Sequence, residues 1–153
     1  MVVLRWVIRI VAVVTLVIAL VFVGARFHDG PLGLVPGGPL ASGEMVTQPV
    51  EDWSFATAVS EIELQLASQS KSRTTWIVVH DGRAYVPAST QFPPGKTWHR
   101  SALEDGRATL RIAGRRYPVM LAKVEDAALV TAVRAVGLQK YPNRPEATPG
   151  SSP

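Results

Sequence analysis

The sequence of 153 residues contains no cysteine and only three histidines, His28, His80 and His99. Without cysteine, the chain has no disulfides and offers no thiolate nucleophile, no iron–sulfur ligand and no cysteine ligand for zinc. Three histidines are too few for a His-rich metal site, and no Walker loop, metal-ligand spacing or nucleophile–base motif is found. We therefore predict no metal site, and the sequence identifies no catalytic residue.

A strong net charge is also lacking. The chain has 16 Lys and Arg residues against 12 Asp and Glu residues, which gives a formal charge of +4. This excess is small and the basic residues are scattered, so it does not indicate a nucleic-acid-binding protein. We expect no nucleic-acid partner.

Charge is absent altogether from residues 10–25, an apolar run of 16 residues. As a helix this run would be about 24 Å long, and residues 6–8 extend it to roughly the length that crosses a bilayer core of about 30 Å. We interpret residues 6–25 as a transmembrane anchor, with Trp6 at the membrane interface. The alternative is a signal peptide cleaved after Ala25, but the run is longer than the roughly 7–15 apolar residues typical of one.

The few charges around this segment predict its orientation. The α-amine, Arg5 and Arg9 lie on its N-terminal side, and Arg26 alone follows it closely. The positive-inside rule therefore favours a cytoplasmic N-terminus. We expect a single-pass protein of a bacterial-type inner membrane, with its domain on the extracytoplasmic side and the lipid bilayer as a partner.

Two segments rich in proline and glycine delimit the domain. Residues 27–43 contain five glycines and three prolines, so 26–43 is predicted to be a stalk, or a loop packed on the domain or the membrane surface. Residues 142–153 contain four prolines and are predicted to form a disordered tail. The domain is therefore assigned to residues 44–141.

Within the domain the hydrophobic pattern is that of β-strands. Strict alternation at 60–66 and runs of β-branched and aromatic residues predict five or six short antiparallel strands. Two-residue turns at Asp81-Gly82 and Ala113-Gly114 predict two hairpins. The predicted strands are 60–66, 74–80, 83–88, 107–112 and 115–124.

Helices are predicted at three places. Asp126 is expected to cap a helix over 127–136, with Gly137 as the residue that follows its C-terminus. A short helical turn is predicted at 98–103, and Asp52 is a candidate cap for another. The fold class is thus mainly β (α+β): a transmembrane helix followed by a small barrel and a terminal helix, because closure protects sheet edges.

Charge is unevenly distributed along the domain. Residues 71–116 contain nine basic and three acidic residues. One interpretation is an ordinary solvated surface. The other is an anion site, because basic residues, hydroxyls and an indole lie together at 71–74 and 96–100. Such a set suits a phosphorylated aromatic ligand.

The order of motifs over residues 59–136 is R-x-T-W-I-V-V, a D-G hairpin, A-Y-V-P-A-S, K-T-W-H-R, D-G-R-A-T-L-R-I, G-R-R-Y-P-V and D-x-x-L-V-x-A-V. This order resembles the split β-barrel family of pyridoxamine-phosphate-oxidase-like proteins. It is most similar to their small flavin- and deazaflavin-dependent nitroreductase-like branch, here with an added N-terminal membrane anchor.

The resemblance implies a split β-barrel that binds FMN or a deazaflavin and pairs as a homodimer. By position, the residues it implies at the cofactor phosphate and the pocket edge are Ser72, Arg73, Thr74, Ser89, Lys96 and Trp98. The chain departs from the branch pattern after Ser89, where Thr90 and Gln91 replace the usual lysine and glycines.

Two functions follow as hypotheses. The first is an oxidoreductase in which the bound cofactor performs hydride chemistry and the protein supplies position and electrostatics. The second is a non-catalytic, membrane-tethered domain that has no cofactor and binds a small anionic ligand or a partner in the cell envelope. The departure from the branch pattern after Ser89 and the predicted extracytoplasmic location favour the second.

Overall fold

The computed structural model describes residues 2–88 and 97–142. Helix α1 precedes the domain, and a single 3₁₀ turn lies at Ser54–Ala56. The helices are α1 Val2–Ala25, α2 Trp98–Glu104 and α3 Ala127–Lys140. The strands are β1 Glu44–Met45, β2 Glu61–Leu66, β3 Ser72–Trp76, β4 Val78–His80, β5 Arg83–Tyr85, β6 Arg107–Ile112 and β7 Arg115–Met120.

The strands form two sheets. Five of them follow the order β1-β7-β6-β2-β3, and β4 pairs with β5 alone. A mainly antiparallel β fold between an N-terminal and a C-terminal helix is confirmed. The predicted closure is wrong, because the two sheets remain separate within the described residues and the barrel is not closed. The strand pairing is also not wholly antiparallel, since β1 runs parallel to β7.

Both predicted hairpin turns are confirmed. Asp81 and Gly82 have φ angles of 49° and 70°, and Ala113 and Gly114 have 49° and 77°. Positive φ at both central residues is what a type I′ turn requires. The strands that follow these turns are shorter than predicted: β5 ends at Tyr85 and β7 at Met120.

The predicted strand over 74–80 is instead two strands, because the chain breaks at Ile77. The Ile77 carbonyl accepts a hydrogen bond from Lys140 Nζ at 2.9 Å and lies 2.8 Å from the Tyr141 hydroxyl. The same hydroxyl lies 2.6 Å from the Ser60 carbonyl oxygen. The end of α3 therefore satisfies the backbone where β3 leaves one sheet and β4 enters the other.

Helix α3 begins as predicted but ends later. The Asp126 carboxylate accepts a hydrogen bond from the Ala128 amide at 2.8 Å, so the cap is confirmed. Gly137 lies inside the helix rather than after it. A Cβ at this position would lie 3.4 Å from Val78 Cγ2, which is an ordinary van der Waals distance, so Gly137 lies where α3 packs on β4. Packing against β4 thus carries the helix on to Lys140.

The two other predicted helical features are present. Trp98 begins α2, as expected, and the helix extends to Glu104. The Asp52 carboxylate accepts hydrogen bonds from the amide and the hydroxyl of Ser54, at 2.9 and 2.6 Å. These bonds fix the start of the 3₁₀ turn, which places Ala56 in the core.

The two faces of the five-stranded sheet have different coverings. On one face, alternate residues of β2 and β6 are buried under Trp98 and Ala56. These buried strand residues are Ile62, Leu64, Leu66, Ala108, Leu110 and Ile112. The other face is polar and is covered by residues 26–43, which we call the juxtamembrane loop after the anchor that the sequence predicts immediately before it. Of the two alternatives for this segment, it packs on the domain as a loop.

One helix in the described part of the chain, α1, is long and apolar enough to cross a membrane. Its apolar stretch, Val3–Ala25, has 23 residues. The most apolar part of this stretch is not buried against the domain. The large side chains of α1 are accordingly exposed along its length.

Candidate functional site

Strand β3 carries three of the six predicted site residues, and its alternation sends them to opposite faces. Arg73 pairs with Leu64, which is fully buried, so Arg73 lies on the core face of the sheet. Ser72 and Thr74 lie on the other face. The Ser72 hydroxyl donates to the Gly38 carbonyl at 2.6 Å, and the Thr74 hydroxyl donates to the Gly33 carbonyl at 2.7 Å. These two hydroxyls therefore hold the juxtamembrane loop.

Arg73 is held against the beginning of α2. The guanidinium carbon lies 5.5 Å from the centre of the Trp98 ring, over its face. Nη2 donates to the Gln69 side-chain oxygen, and the Gln69 amide donates to the Ser101 hydroxyl at 3.1 Å. Trp98 is only 4% exposed, so it serves as a core residue and a support for Arg73, with little ring surface left for a ligand.

Within residues 2–88 and 97–142, no carboxylate contacts Arg73, in contrast to the ion-paired arginines of the same sheet. The arginines that form described ion pairs are Arg107, Arg111 and Arg115. In the part of the chain that the structure describes, the buried Nε of Arg73 makes no hydrogen bond. Burial lowers the pKa of this guanidinium, which means that its positive charge is held at an energetic cost.

His99 also lies beside Trp98, and one of its ring nitrogens is buried. The His99 ring meets the edge of Trp98, with ring centres 6.5 Å apart. Its buried Nδ1 has no hydrogen-bond partner within residues 2–88 and 97–142. Arg73, Gln69, His99 and Ser101 therefore form a polar cluster around Trp98, which we call the Arg73 cluster. A guanidinium in such a place can donate charge-assisted hydrogen bonds to a phosphate or a carboxylate.

The structure thus brings together two of the predicted site residues, Arg73 and Trp98. It places Ser72 and Thr74 on the opposite face of the sheet. The predicted residues Ser89 and Lys96 lie outside the described residues. The sequence analysis missed Gln69 and Ser101, because isolated polar residues near a strand start and in a short helix have no distinguishing pattern.

A second polar cluster, which the sequence analysis also missed, lies under the juxtamembrane loop. Arg111 Nη1 donates to the two Asp29 carboxylate oxygens at 2.9 and 3.0 Å, and Nε donates to Glu63. The Arg111 side chain is only 10% exposed. We call Arg111, Asp29 and Glu63 the Arg111 clamp. Its cross-strand part, Glu63 opposite Arg111, follows from strand alternation, whereas Asp29 comes from a loop without any pattern.

Hydrogen bonds shift the pKa values of Arg111 and Asp29 in the direction that favours their charged forms. Hydrogen bonding to Glu63 and then to Asp29 raises the pKa of Arg111, against the effect of burial. The pKa of Asp29 is strongly lowered, chiefly by the Ser42 hydroxyl and also by the amides of Ala41 and Ser42 and by Arg111. Both charges are therefore favoured in the folded state.

We expect Asp29→Asn to lower the free energy of unfolding by about 1–2 kcal/mol near neutral pH, since the carboxylate loses its charge-assisted bonds and is partly exposed. The lowered pKa means that Asp29 contributes fully above its ordinary value of 3.8 and loses that contribution as the pH falls below it. The difference between the two proteins should therefore shrink in acid. Urea unfolding of the full chain in detergent micelles measures it.

The matched control is Asp105→Asn, because Asp105 also pairs with an arginine, but the side chain of that arginine, Arg107, is 70% exposed. This change should have much the smaller effect. Equal losses from the two substitutions would show that Asp29 is an ordinary surface carboxylate rather than part of a clamp.

Comparison with known proteins places this domain in a bacterial family. Residues 57–151 match the family described as "Uncharacterized protein conserved in bacteria (DUF2255)". The match covers more than half of the chain, from before β2 to beyond α3, so the chain belongs to this family. It includes the Arg73 cluster but not α1 or the juxtamembrane loop. No curated protein and no solved structure matches the chain.

Proposed function

We propose that this protein is a membrane-anchored, non-catalytic domain that binds a small phosphate-bearing anion at the Arg73 cluster. The observation that carries the proposal is Arg73 itself, a half-buried guanidinium that no carboxylate contacts in the described residues. Such a charge costs free energy in the unliganded protein, and an anion that binds it recovers that cost. The local excess of basic residues supports the same choice of ligand.

The proposal includes a transmembrane anchor in a bacterial-type inner membrane. It is supported by the length of the apolar stretch in α1 and by the basic residues Arg5 and Arg9 on its N-terminal side. In this arrangement the chain crosses the membrane once and the domain lies on the extracytoplasmic side.

We expect α1 to remain attached in the mature protein, because its apolar stretch is long enough to cross a bilayer core. N-terminal sequencing of protein purified from the membrane fraction should therefore show that the mature chain still contains α1. A mature protein that starts at Arg26 would contradict the anchor. A reporter fused after Pro153 checks the orientation, since a reporter active only in the cytoplasm should be silent.

The second candidate is an FMN- or deazaflavin-dependent oxidoreductase on a split barrel, with cofactor sites shared in a homodimer. The order of motifs and the place of Arg73 beside an aromatic ring favour it. Two observations weigh against it: Trp98 is buried, and the hydroxyls of Ser72 and Thr74 donate to the juxtamembrane loop. The anion-binding function needs neither a stacking ring nor these hydroxyls.

Binding of three ligands to the full chain in detergent micelles tests the proposal. Inorganic phosphate and FMN should both bind, and riboflavin, which has the flavin ring without the phosphate, should not. Equal binding of FMN and riboflavin with a shift of the visible flavin absorbance would favour the oxidoreductase. If neither phosphate nor FMN binds at millimolar concentration, the anion-binding proposal is wrong.

A further inference from the structure

The connection between α1 and the domain is short, so the two cannot move far apart. Only residues 26–28 separate Ala25 from Asp29, and four residue steps span at most about 14 Å when fully extended. They are not extended, since the amides of Arg26 and His28 each donate to a carbonyl three residues earlier, at 3.2 Å. Ala25 itself is fully buried. The domain therefore begins where the helix ends.

Several contacts fix the juxtamembrane loop to the domain. The Arg111 clamp binds Asp29, and the Gly38 amide donates to the His28 carbonyl at 2.9 Å. A Cβ on Gly38 would lie 2.7 Å from the carbonyl oxygens of Arg26 and His28, so only glycine allows this close approach. The loop is thus a fixed layer on the sheet, and α1 is coupled to it directly.

The outer side of this loop is unusually apolar. Among the described residues, the two most exposed large apolar side chains are Leu34, at 97%, and Phe27, at 86%. Leu34 lies at the tip of a turn in which Leu32 and Val35 exchange two backbone hydrogen bonds of 3.0 Å. Phe27 lies two residues after α1. Both therefore belong to the one segment that the anchor holds near the bilayer.

We propose that the juxtamembrane loop docks the domain on the bilayer, with Phe27 and Leu34 in contact with lipid. The proposed partner is the membrane that α1 crosses, so the inference rests on the anchor in the proposed function. A helix that ends at the interface and a connection of three residues keep this loop at the level of the headgroups. Apolar side chains there leave water when they enter the interface.

Single-cysteine labelling tests this contact cleanly, because the natural chain contains no cysteine. Full chains with Phe27→Cys or Leu34→Cys carry an environment-sensitive fluorophore in vesicles of phosphatidylcholine and phosphatidylglycerol. Nitroxides on the lipid headgroup should quench most of their fluorescence. The matched control is Leu103→Cys, an exposed leucine of α2. Because α2 packs on the other face of the sheet, its label should keep its fluorescence.

A label at Val14→Cys, in the middle of α1, separates the two proposals. If nitroxides deep in the bilayer quench it and the Leu34 label behaves like the Leu103 label, the anchor stands and the docking inference is overturned. If the Val14 label is not quenched by lipid nitroxides at all, the anchor fails and the docking inference fails with it. Quenching of the Val14, Phe27 and Leu34 labels without that of Leu103 supports both.

Discussion

Replacement of Arg111 with methionine is expected to lower the free energy of unfolding by about 2–4 kcal/mol, somewhat below the roughly 3–5 kcal/mol lost when a fully buried ion pair is broken. The substitution keeps much of the side-chain volume but leaves the carboxylates of Asp29 and Glu63 near each other without their shared cation. Glu63 is 28% exposed and Asp29 34%, so solvent reduces the cost without removing it. Urea unfolding of the full chain in micelles measures the change.

Two comparisons establish that the effect belongs to the clamp. Arg107→Met removes an arginine from the same strand whose side chain is 70% exposed, and it should change stability little. The triple variant Arg111→Met, Asp29→Asn, Glu63→Gln removes both carboxylates as well and should recover much of the loss. If Arg107→Met and Arg111→Met destabilise alike, the clamp interpretation is wrong.

The stability difference between the Arg111→Met variant and the natural protein should change with pH in one direction. Without the guanidinium, the pKa of Asp29 rises from its lowered value, because this carboxylate loses an opposite charge and keeps the like charge of Glu63 nearby. A raised pKa makes protonation in the folded state favourable. The stability difference from the natural protein should therefore narrow as the pH is lowered toward 4, and a difference independent of pH would indicate simple loss of packing.

The features that the sequence predicted correctly are those determined within a few residues. Asp81-Gly82 and Ala113-Gly114 adopt positive φ because turn chemistry alone requires it. Asp126 caps α3 because its carboxylate needs only the amides of the next turn. Strand alternation in β2 predicts its buried face for the same reason.

The features that the sequence did not predict depend on distant parts of the chain. The strand break at Ile77 is satisfied by Lys140 and Tyr141, more than 60 residues away. Local rules predict that Gly137 follows the end of a helix, but it lies within a longer helix that packs beside Val78 of β4. Because Ile77 leads β4 away from β3, the two sheets separate where the predicted barrel would have closed.

The candidate site shows the same limit. A polar run such as Lys71–Thr74 supplies candidate phosphate ligands, but it has polar residues on both faces, so alternation does not tell which face is covered. The juxtamembrane loop decides this, because it accepts hydrogen bonds from Ser72 and Thr74 and leaves Arg73 on the side of Trp98. Composition alone predicted an anion site, and only the packing shows that Arg73 is half-buried and that no carboxylate among the described residues contacts it.

Replacement of Arg73 should weaken ligand binding and leave stability nearly unchanged, whereas replacement of Arg111 should lower stability. We expect Arg73→Met to weaken the binding of phosphate or FMN by about one to two powers of ten, because a charge-assisted hydrogen bond contributes roughly 1.5–3 kcal/mol and 1.4 kcal/mol is a factor of ten. Its stability without ligand should stay within about 1 kcal/mol of the natural protein, since lost contact with Trp98 and Gln69 is offset by relief of a buried, uncompensated charge. Isothermal titration and urea unfolding of the full chain in micelles measure the two effects separately.

Arg73→Lys and Arg107→Met complete the experiment. The lysine keeps the charge but not the planar fork of donors, so its affinity should fall between those of the natural protein and Arg73→Met. Arg107→Met removes a charge that already has Asp105 as its partner, so binding should be nearly unchanged. Equal weakening at Arg73 and Arg107 would mean that anions bind to a diffuse basic surface. A loss of stability at Arg73 as large as that at Arg111, with binding unchanged, would make Arg73 a structural residue, because an arginine retained for a ligand is one that the unliganded fold does not need.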